Sequence, residues 1–280
     1  MKFQKSLFLI FITIGLYACS TVKISYNWAD YLFYRKIDSY FDIEDQEKFV
    51  ETKLDKLHIW HRKEELPKYI IFLKEVKHRI KDGVVNEDLD WIHKGLRGFG
   101  RNLVTHITKD SVTFLASLSK EQIVYFEEKL SERNSKKLKR IQRPEKEKRA
   151  ELLEEALEDV KEWIGDLSKE QINQVEAMIV VNKKKEMIKY NHKKNSQQRF
   201  IKFLKDRQNF TRFSERLNDW FFNYRRFYTK EYAAAVIERR KRTRSLIMAV
   251  DRFATKNQRA NAIKKIDYYI KQIMELIDLE

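Results

Sequence analysis

Punctuation is what this sequence lacks most. Its 280 residues include 6 glycines, 2 prolines and a single cysteine. Strands must be joined by frequent turns, and turns draw on Gly, Pro, Asn and Asp. So few breakers exclude a sandwich, a barrel or a chain of alternating strands and helices. The fold class read here is all-α, an elongated multi-helix bundle of long antiparallel helices. One cysteine, Cys19, cannot close an internal disulfide, so packing alone must hold the fold together. The material is present as 18 Phe, 13 Tyr and 5 Trp, each ring able to bury about 150–250 Å².

Catalytic signatures are missing too. There is no Gly-x-Ser-x-Gly elbow, no His-Glu-x-x-His helix or its inverted form, and no Cys/His arrangement. The run Gly95-Leu96-Arg97-Gly98-Phe99-Gly100-Arg101 has neither the preceding strand nor the Lys-Ser/Thr ending of a phosphate-cradling loop. Close helix approach, or a break between helices, is the expectation there. No catalytic residue, metal site or small-molecule substrate is assigned, and no cofactor beyond a covalent lipid on Cys19.

What is present begins with Lys2 and Lys5, followed by an almost unbroken apolar run over residues 6–18. Charged start, apolar middle and small closing residue are the layout of a secretory signal. The run is shorter than the ~20 residues a spanning helix needs. Leu16-Tyr17-Ala18-Cys19 resembles the bacterial lipobox, in which signal peptidase cuts before a lipidated cysteine. The resemblance implies that residues 1–18 are a lipoprotein signal peptide and that Cys19 carries a lipid anchor to the membrane. Ser20, in place of the Asp that favours inner-membrane retention in enteric-type sorting, implies the outer membrane and its periplasmic face.

Charge is lopsided. Residues 19–170 hold 30 basic and 30 acidic side chains, whereas residues 171–280 hold 26 and 12, so the second half carries the whole excess of 14. For an exported chain the polyanions within reach are lipid headgroups, glycolipids and envelope polymers, not nucleic acid. Arg239, Arg240, Lys241, Arg242 and Arg244 form the densest basic run and the candidate anion-binding set. The partners expected are the membrane, through the anchor, and an envelope protein or anionic glycolipid.

Residues 24–41 crowd Tyr26, Trp28, Tyr31, Leu32, Tyr34 and Ile37 onto one short helix. Packing under the rest of the bundle is the expectation for these rings, with the membrane interface as the alternative. Asp42 is expected to cap the next helix, whose apolar residues Val50, Leu54, Leu57 and Trp60 recur at three and four. Pro67 fits the first turn of a further helix and Gly83 its end. Asn86 is expected to cap the helix that follows. Leu-Ser-Lys-Glu-Gln-Ile occurs twice, at 118–123 and 167–172, and Ser with Gln three residues on is a capping box. Thr255 with Gln258 repeats the box. Recurrent capping accounts for the match better than an ancient duplication, because the flanks do not align. Pro144 opens a helix that Gly165 stops. Ser196 is expected to start the stripe from Phe200 to Phe227, with Arg207, Arg212 and Arg216 off it, and Thr229 to cap the basic helix. No Gly/Ser/Pro linker interrupts residues 19–280, so they read as one bundle domain with a neutral and a basic half.

The richest polar cluster is Trp60, His61, Arg62, Glu65 and Tyr69, a candidate ligand or partner site. His58, His61 and Glu65 share a helix face by their spacing. A structural polar network at a helix junction is the preferred reading over a metal set.

Tyr26-Asn27-Trp28-Ala29-Asp30, then Trp60-His61-Arg62, Glu65-Leu66-Pro67 and Tyr69, together with the lipobox, resemble a family of proteobacterial lipoproteins grouped under a domain of unknown function. The resemblance implies an outer-membrane helical lipoprotein and carries no activity with it. The Leu-Ser-x-x-Gln starts are also similar, more weakly, to the Leu-Thr-x-x-Gln of Spy/CpxP-type periplasmic chaperones. That likeness implies a holdase as the alternative function.

Overall fold

Long helices succeed one another through the computed structural model, which describes residues 21–278. The signal segment and Cys19 lie outside the described residues. The chain enters through α1 (Thr21–Asn27) and α2 (Ala29–Phe41), and a 3₁₀ turn (Glu44–Gln46) leads into α3 (Glu47–Trp60). A π-helical turn (His61–Glu65) joins α3 to α4 (Leu66–Ile80). Then come α5 (Asn86–Ser117), α6 (Lys120–Gln142), α7 (Glu145–Ile164), α8 (Lys169–Ala177), α9 (Lys183–Lys205) and α10 (Phe210–Phe222). A second 3₁₀ turn (Tyr224–Phe227) precedes α11 (Lys230–Phe253) and α12 (Lys256–Ile277). Among the described residues there is no strand, so the all-α multi-helix bundle expected from the scarcity of Gly and Pro is what forms. No described helix is long and apolar enough to cross a membrane.

Three clusters hold the helices. The largest joins Val112 and Leu115 of α5 to Ile123 and Phe126 of α6, Leu204 of α9, and Phe213 and Leu217 of α10. In the second, Val76 of α4 meets Ile266 and Ile270 of α12. The third is small, with Tyr26 of α1, Leu66 and Leu276. It brings the first described helix onto the last.

Several helix ends are where the residue types put them. Gly83 and Gly165 take φ of 122° and 84°, conformations a side chain would resist. Thr229 accepts the N–H of Tyr232 at 3.1 Å, and Pro67 sits in the first turn of α4. Others differ. Asp42 ends α2 instead of starting α3: its φ is 51° and its N–H bonds Asp38, because a short polar side chain tolerates the left-handed region. Asn86 does not cap α5; the Asp88 carboxylate accepts the Val85 N–H at 3.1 Å. Ser196 lies inside α9, which Asn182 caps by accepting the Lys185 N–H at 2.9 Å. Arg207, expected to face outward, is 7% exposed. Its Nε donates to the carbonyl of Leu118 at 2.8 Å and its Nη1 to that of Leu204 at 3.2 Å. It serves the Leu118 carbonyl at the end of α5 and shares the Leu204 carbonyl at the end of α9 with backbone N–H groups.

Both hexapeptides form capping boxes, and their glutamines do more. Gln171 Nε2 donates to Gln258 Oε1 at 2.8 Å and to the Phe253 carbonyl at 3.1 Å. Gln258 Nε2 donates back to Gln171 Oε1 at 3.0 Å and to the Asp166 carbonyl at 2.8 Å. Each amide thus reaches the carbonyl two residues before the other's cap, and the starts of α8 and α12 interlock. Gln122 is clasped to Gln46 in the same manner, at 2.8 Å and 3.3 Å in the two directions. It also donates to the Asp42 carbonyl at 2.7 Å. One short string therefore starts a helix and locks it to another.

The glycine run neither breaks a helix nor forms a loop, since α5 passes straight through it. A Cβ on Gly95 would stand 2.4 Å from Cε2 of Phe72, whereas nothing lies within 4 Å at Gly98. Phe72 cannot yield easily, being stacked on Trp91 with ring centroids 5.0 Å apart. Gly95→Ala should therefore lower stability by about 1–3 kcal/mol through overpacking. Gly98→Ala should raise it by up to about 1 kcal/mol through helix propensity. Urea denaturation of the two variants reads both signs.

Candidate functional site

Pro67 shapes the candidate site. It has no N–H to give, and its ring crowds the carbonyl four residues before it, at Lys63. The helix absorbs this by widening, so that the Leu66 N–H bonds the His61 carbonyl five residues back. Such π turns are uncommon and often mark special sites. Here the wide turn carries His61 and Glu65 inward, to 3% and 1% exposure.

His61 is the centre of a chain of hydrogen bonds. Its Nδ1 lies 3.1 Å from the Tyr26 hydroxyl and its Nε2 3.1 Å from the Tyr69 hydroxyl. A neutral imidazole has one donor and one acceptor nitrogen. One tyrosine therefore gives it a hydrogen bond while the other receives one. Burial, with a smaller push from His58, brings the His61 pKa down to about 4. Burial raises the Tyr26 hydroxyl to about 12, partly offset by the Arg62 charge. Tyr69 is also pushed up, by burial first and by the Glu65 charge next. All three groups are thus held neutral at ordinary pH.

The sign of the resulting pH dependence is fixed. The unfolded chain takes up a proton at His61 near 6.5, the folded chain only near 4. Stability contributed by the neutral ring is complete above the higher value and is lost as pH falls toward the lower, by about 3 kcal/mol at most. NMR titration should find the His61 ring still neutral where an exposed histidine is mostly charged.

The rest of the cluster radiates from this centre. Arg62 Nη2 donates to Asn27 Oδ1 at 3.2 Å, and its guanidinium lies 5.6 Å from the Tyr26 ring centroid. Glu65 Oε1 accepts from Lys68 Nζ at 2.7 Å. The other Glu65 oxygen is buried with no hydrogen-bond partner among the described residues, a condition that costs about 1–3 kcal/mol. Trp60 turns away to stack on His106 of α5, 3.7 Å between centroids. Tyr69 meets Phe99 edge-on at 4.5 Å. Of the five residues singled out, His61, Arg62, Glu65 and Tyr69 therefore belong to one junction, and Trp60 braces its outer side. Tyr26, read from the sequence as one aromatic of the first helix and as part of the family run, was not placed in this cluster. No group of three or more His, Cys, Asp or Glu among the described residues is placed to hold a metal ion.

The basic run of α11 does not act as one patch. Arg239, Arg240 and Lys241 are exposed, while Arg242 and Arg244 are half-buried. Arg244 is taken up by Asp90 of α5. Arg240 has different company. Burial and then the charges of Arg240, Arg97 and Arg225 hold His93 below its ordinary value, against the opposing charge of Asp90. Charges on α11, α5 and the second 3₁₀ turn thus act on one histidine. Spacing along the chain gives no sign of this, because the three lie in separate elements.

A strand-free bundle with a sealed histidine–tyrosine centre and a basic second half defines a helical-bundle protein. The chain belongs to a family of unknown function, DUF6279, whose model matches residues 39–233. That span takes in Trp60-His61-Arg62, Glu65-Leu66-Pro67, Tyr69 and both hexapeptides. No curated protein and no solved structure matches the chain.

Proposed function

We propose that the chain is a bacterial envelope lipoprotein, held on the periplasmic face of the outer membrane by acyl chains on Cys19, and that it acts by binding another envelope component and not by catalysis. The observation that carries this reading is Leu16-Tyr17-Ala18-Cys19 at the end of the apolar run over residues 6–18. Each buried methylene contributes ~0.8 kcal/mol, so more than one acyl chain is needed for firm attachment. The sealing of His61 at 3% exposure supports a structural role for the π-turn cluster. Labelled palmitate should enter the natural chain and not Cys19→Ser. A Cys19→Ser chain that takes up label and fractionates as before would refute the reading.

A second reading is favoured by the exposure of Arg239, Arg240 and Lys241 on α11: the bundle binds an anionic glycolipid or lipid headgroup there. Binding to anionic vesicles should then weaken steeply with salt. Replacing Arg239, Arg240 and Lys241 by glutamine should abolish it, while replacing Arg244, already held by Asp90, should change it little.

A further inference from the structure

The first described helix carries an apolar stripe that the bundle does not cover. Ile24, Trp28, Tyr31 and Leu32 are 53%, 58%, 51% and 53% exposed. The helical ladder runs on across the junction of α1 and α2, with the Trp28 N–H on the Ile24 carbonyl at 3.1 Å and the Leu32 N–H on the Trp28 carbonyl at 2.9 Å. Steps of three and four residues then set all four side chains on one face. The Trp28 and Tyr31 rings meet edge-to-face, 5.7 Å between centroids. Packing under the bundle, expected of this whole segment, holds for Tyr26 and fails for these four.

The stripe cannot simply roll inward, because the other side of the helix is pinned. Tyr26 is bonded to His61, Asn27 accepts from Arg62, and Asp30 faces His58 at 3.6 Å. Lys23 is paired with Glu275 of α12. A contiguous exposed apolar patch marks an interaction surface. Its place in the chain selects the partner. Ile24 is five residues past Cys19, a tether of at most about 18 Å even if fully extended. Trp and Tyr prefer the headgroup level of a bilayer. Arg35, one turn beyond Tyr31, is 61% exposed in its side chain and paired with Asp38 at a long 3.6 Å, so its outer N–H groups can meet lipid phosphate.

We propose that α1 and the start of α2 lie in the headgroup layer of a lipid bilayer, seated by Ile24, Trp28, Tyr31 and Leu32, so that the bundle stands on the membrane in one fixed orientation. The choice of a lipid surface rests on the reading of Cys19 as an anchor. In this arrangement the anchor supplies attachment, and the stripe, locked to the π turn through Tyr26, supplies direction.

The test is tryptophan quenching of the full chain reconstituted in vesicles of brominated phosphatidylcholine. Part of the emission should be quenched, and Trp28→Phe, a change at an exposed position, should remove that quenching while leaving the helical circular dichroism unchanged. Intact mass of the same sample reads acylation of Cys19 separately. An acylated chain whose Trp28 stays unquenched overturns the seating, whether the stripe then faces water, a second copy or another protein. An unacylated chain overturns the anchor, and Trp28 quenching decides the seating in that sample as well.

Discussion

Alanine at Gln258 is expected to destabilise the protein by about 3–5 kcal/mol, a loss far beyond that of an ordinary helix-cap change. The side chain is 9% exposed and its partner Gln171 is 7% exposed. Truncation strands the Thr255 N–H, which Gln258 Oε1 accepts at 3.0 Å. It also strands the Asp166 carbonyl and takes one of two partners from each end of the Gln171 amide, which keeps the Phe253 carbonyl and the Ser168 N–H. Each buried group left without a bond costs about 1–3 kcal/mol. Gln171→Ala strands a matching set around Ser168 and Phe253. Because the two glutamines serve each other, the double variant should cost clearly less than the sum of the singles, with a coupling of about 1–3 kcal/mol. Urea denaturation of the four proteins reads the cycle. Additive losses would mean that the two boxes act separately.

His61→Phe is the second large effect, with an expected loss of about 2–5 kcal/mol. The ring is kept in volume, but the hydroxyls of Tyr26 and Tyr69 lose the nitrogen each bonds at 3.1 Å. Replacing all partners of a buried hydrogen bond by apolar groups of the same shape is far cheaper than removing one. Adding Tyr26→Phe and Tyr69→Phe should therefore restore much of the loss. The Arg62 guanidinium keeps a phenyl face to lie on, and the contacts of Leu66 and Leu276 with residue 26 are preserved. Failure of the triple variant to recover would argue that the cluster holds a ligand and is not only a structural centre.

Much of this fold was legible because its signals are local. A sequence with two prolines and six glycines can do little but form helices. The capping boxes at Ser119, Ser168 and Thr255, and the stops at Gly83 and Gly165, depend on residues within a turn of one another. Asp42 was misread because Asp serves at both ends of helices, and only the backbone distinguishes a left-handed stop from a start. Arg207 was read as solvent-facing because arginine usually is; its carbonyl partner Leu118 is 89 residues away. The junction at His61 was half legible. Spacing put His61 and Glu65 on one face, and Pro67 marked the first turn of the next helix without showing that a π turn would join the two. Tyr26, 35 residues distant, carries no mark that separates it from its aromatic neighbours. The same blindness covered the first helix, where spacing groups Ile24, Trp28, Tyr31 and Leu32 but cannot say that they face outward. The interlocked glutamines show the opposite case, in which two identical strings proved to share a tertiary task as well as a local one.

Everything proposed about place and orientation turns on the chemistry of Cys19. Mass spectrometry of the N-terminal peptide from the protein purified from bacterial envelopes tests it most directly. A mature chain that begins at Cys19, with residues 1–18 removed and acyl chains on that cysteine, is expected. A chain that still carries residues 1–18, or one that begins at an unmodified Cys19 or beyond it, would contradict it.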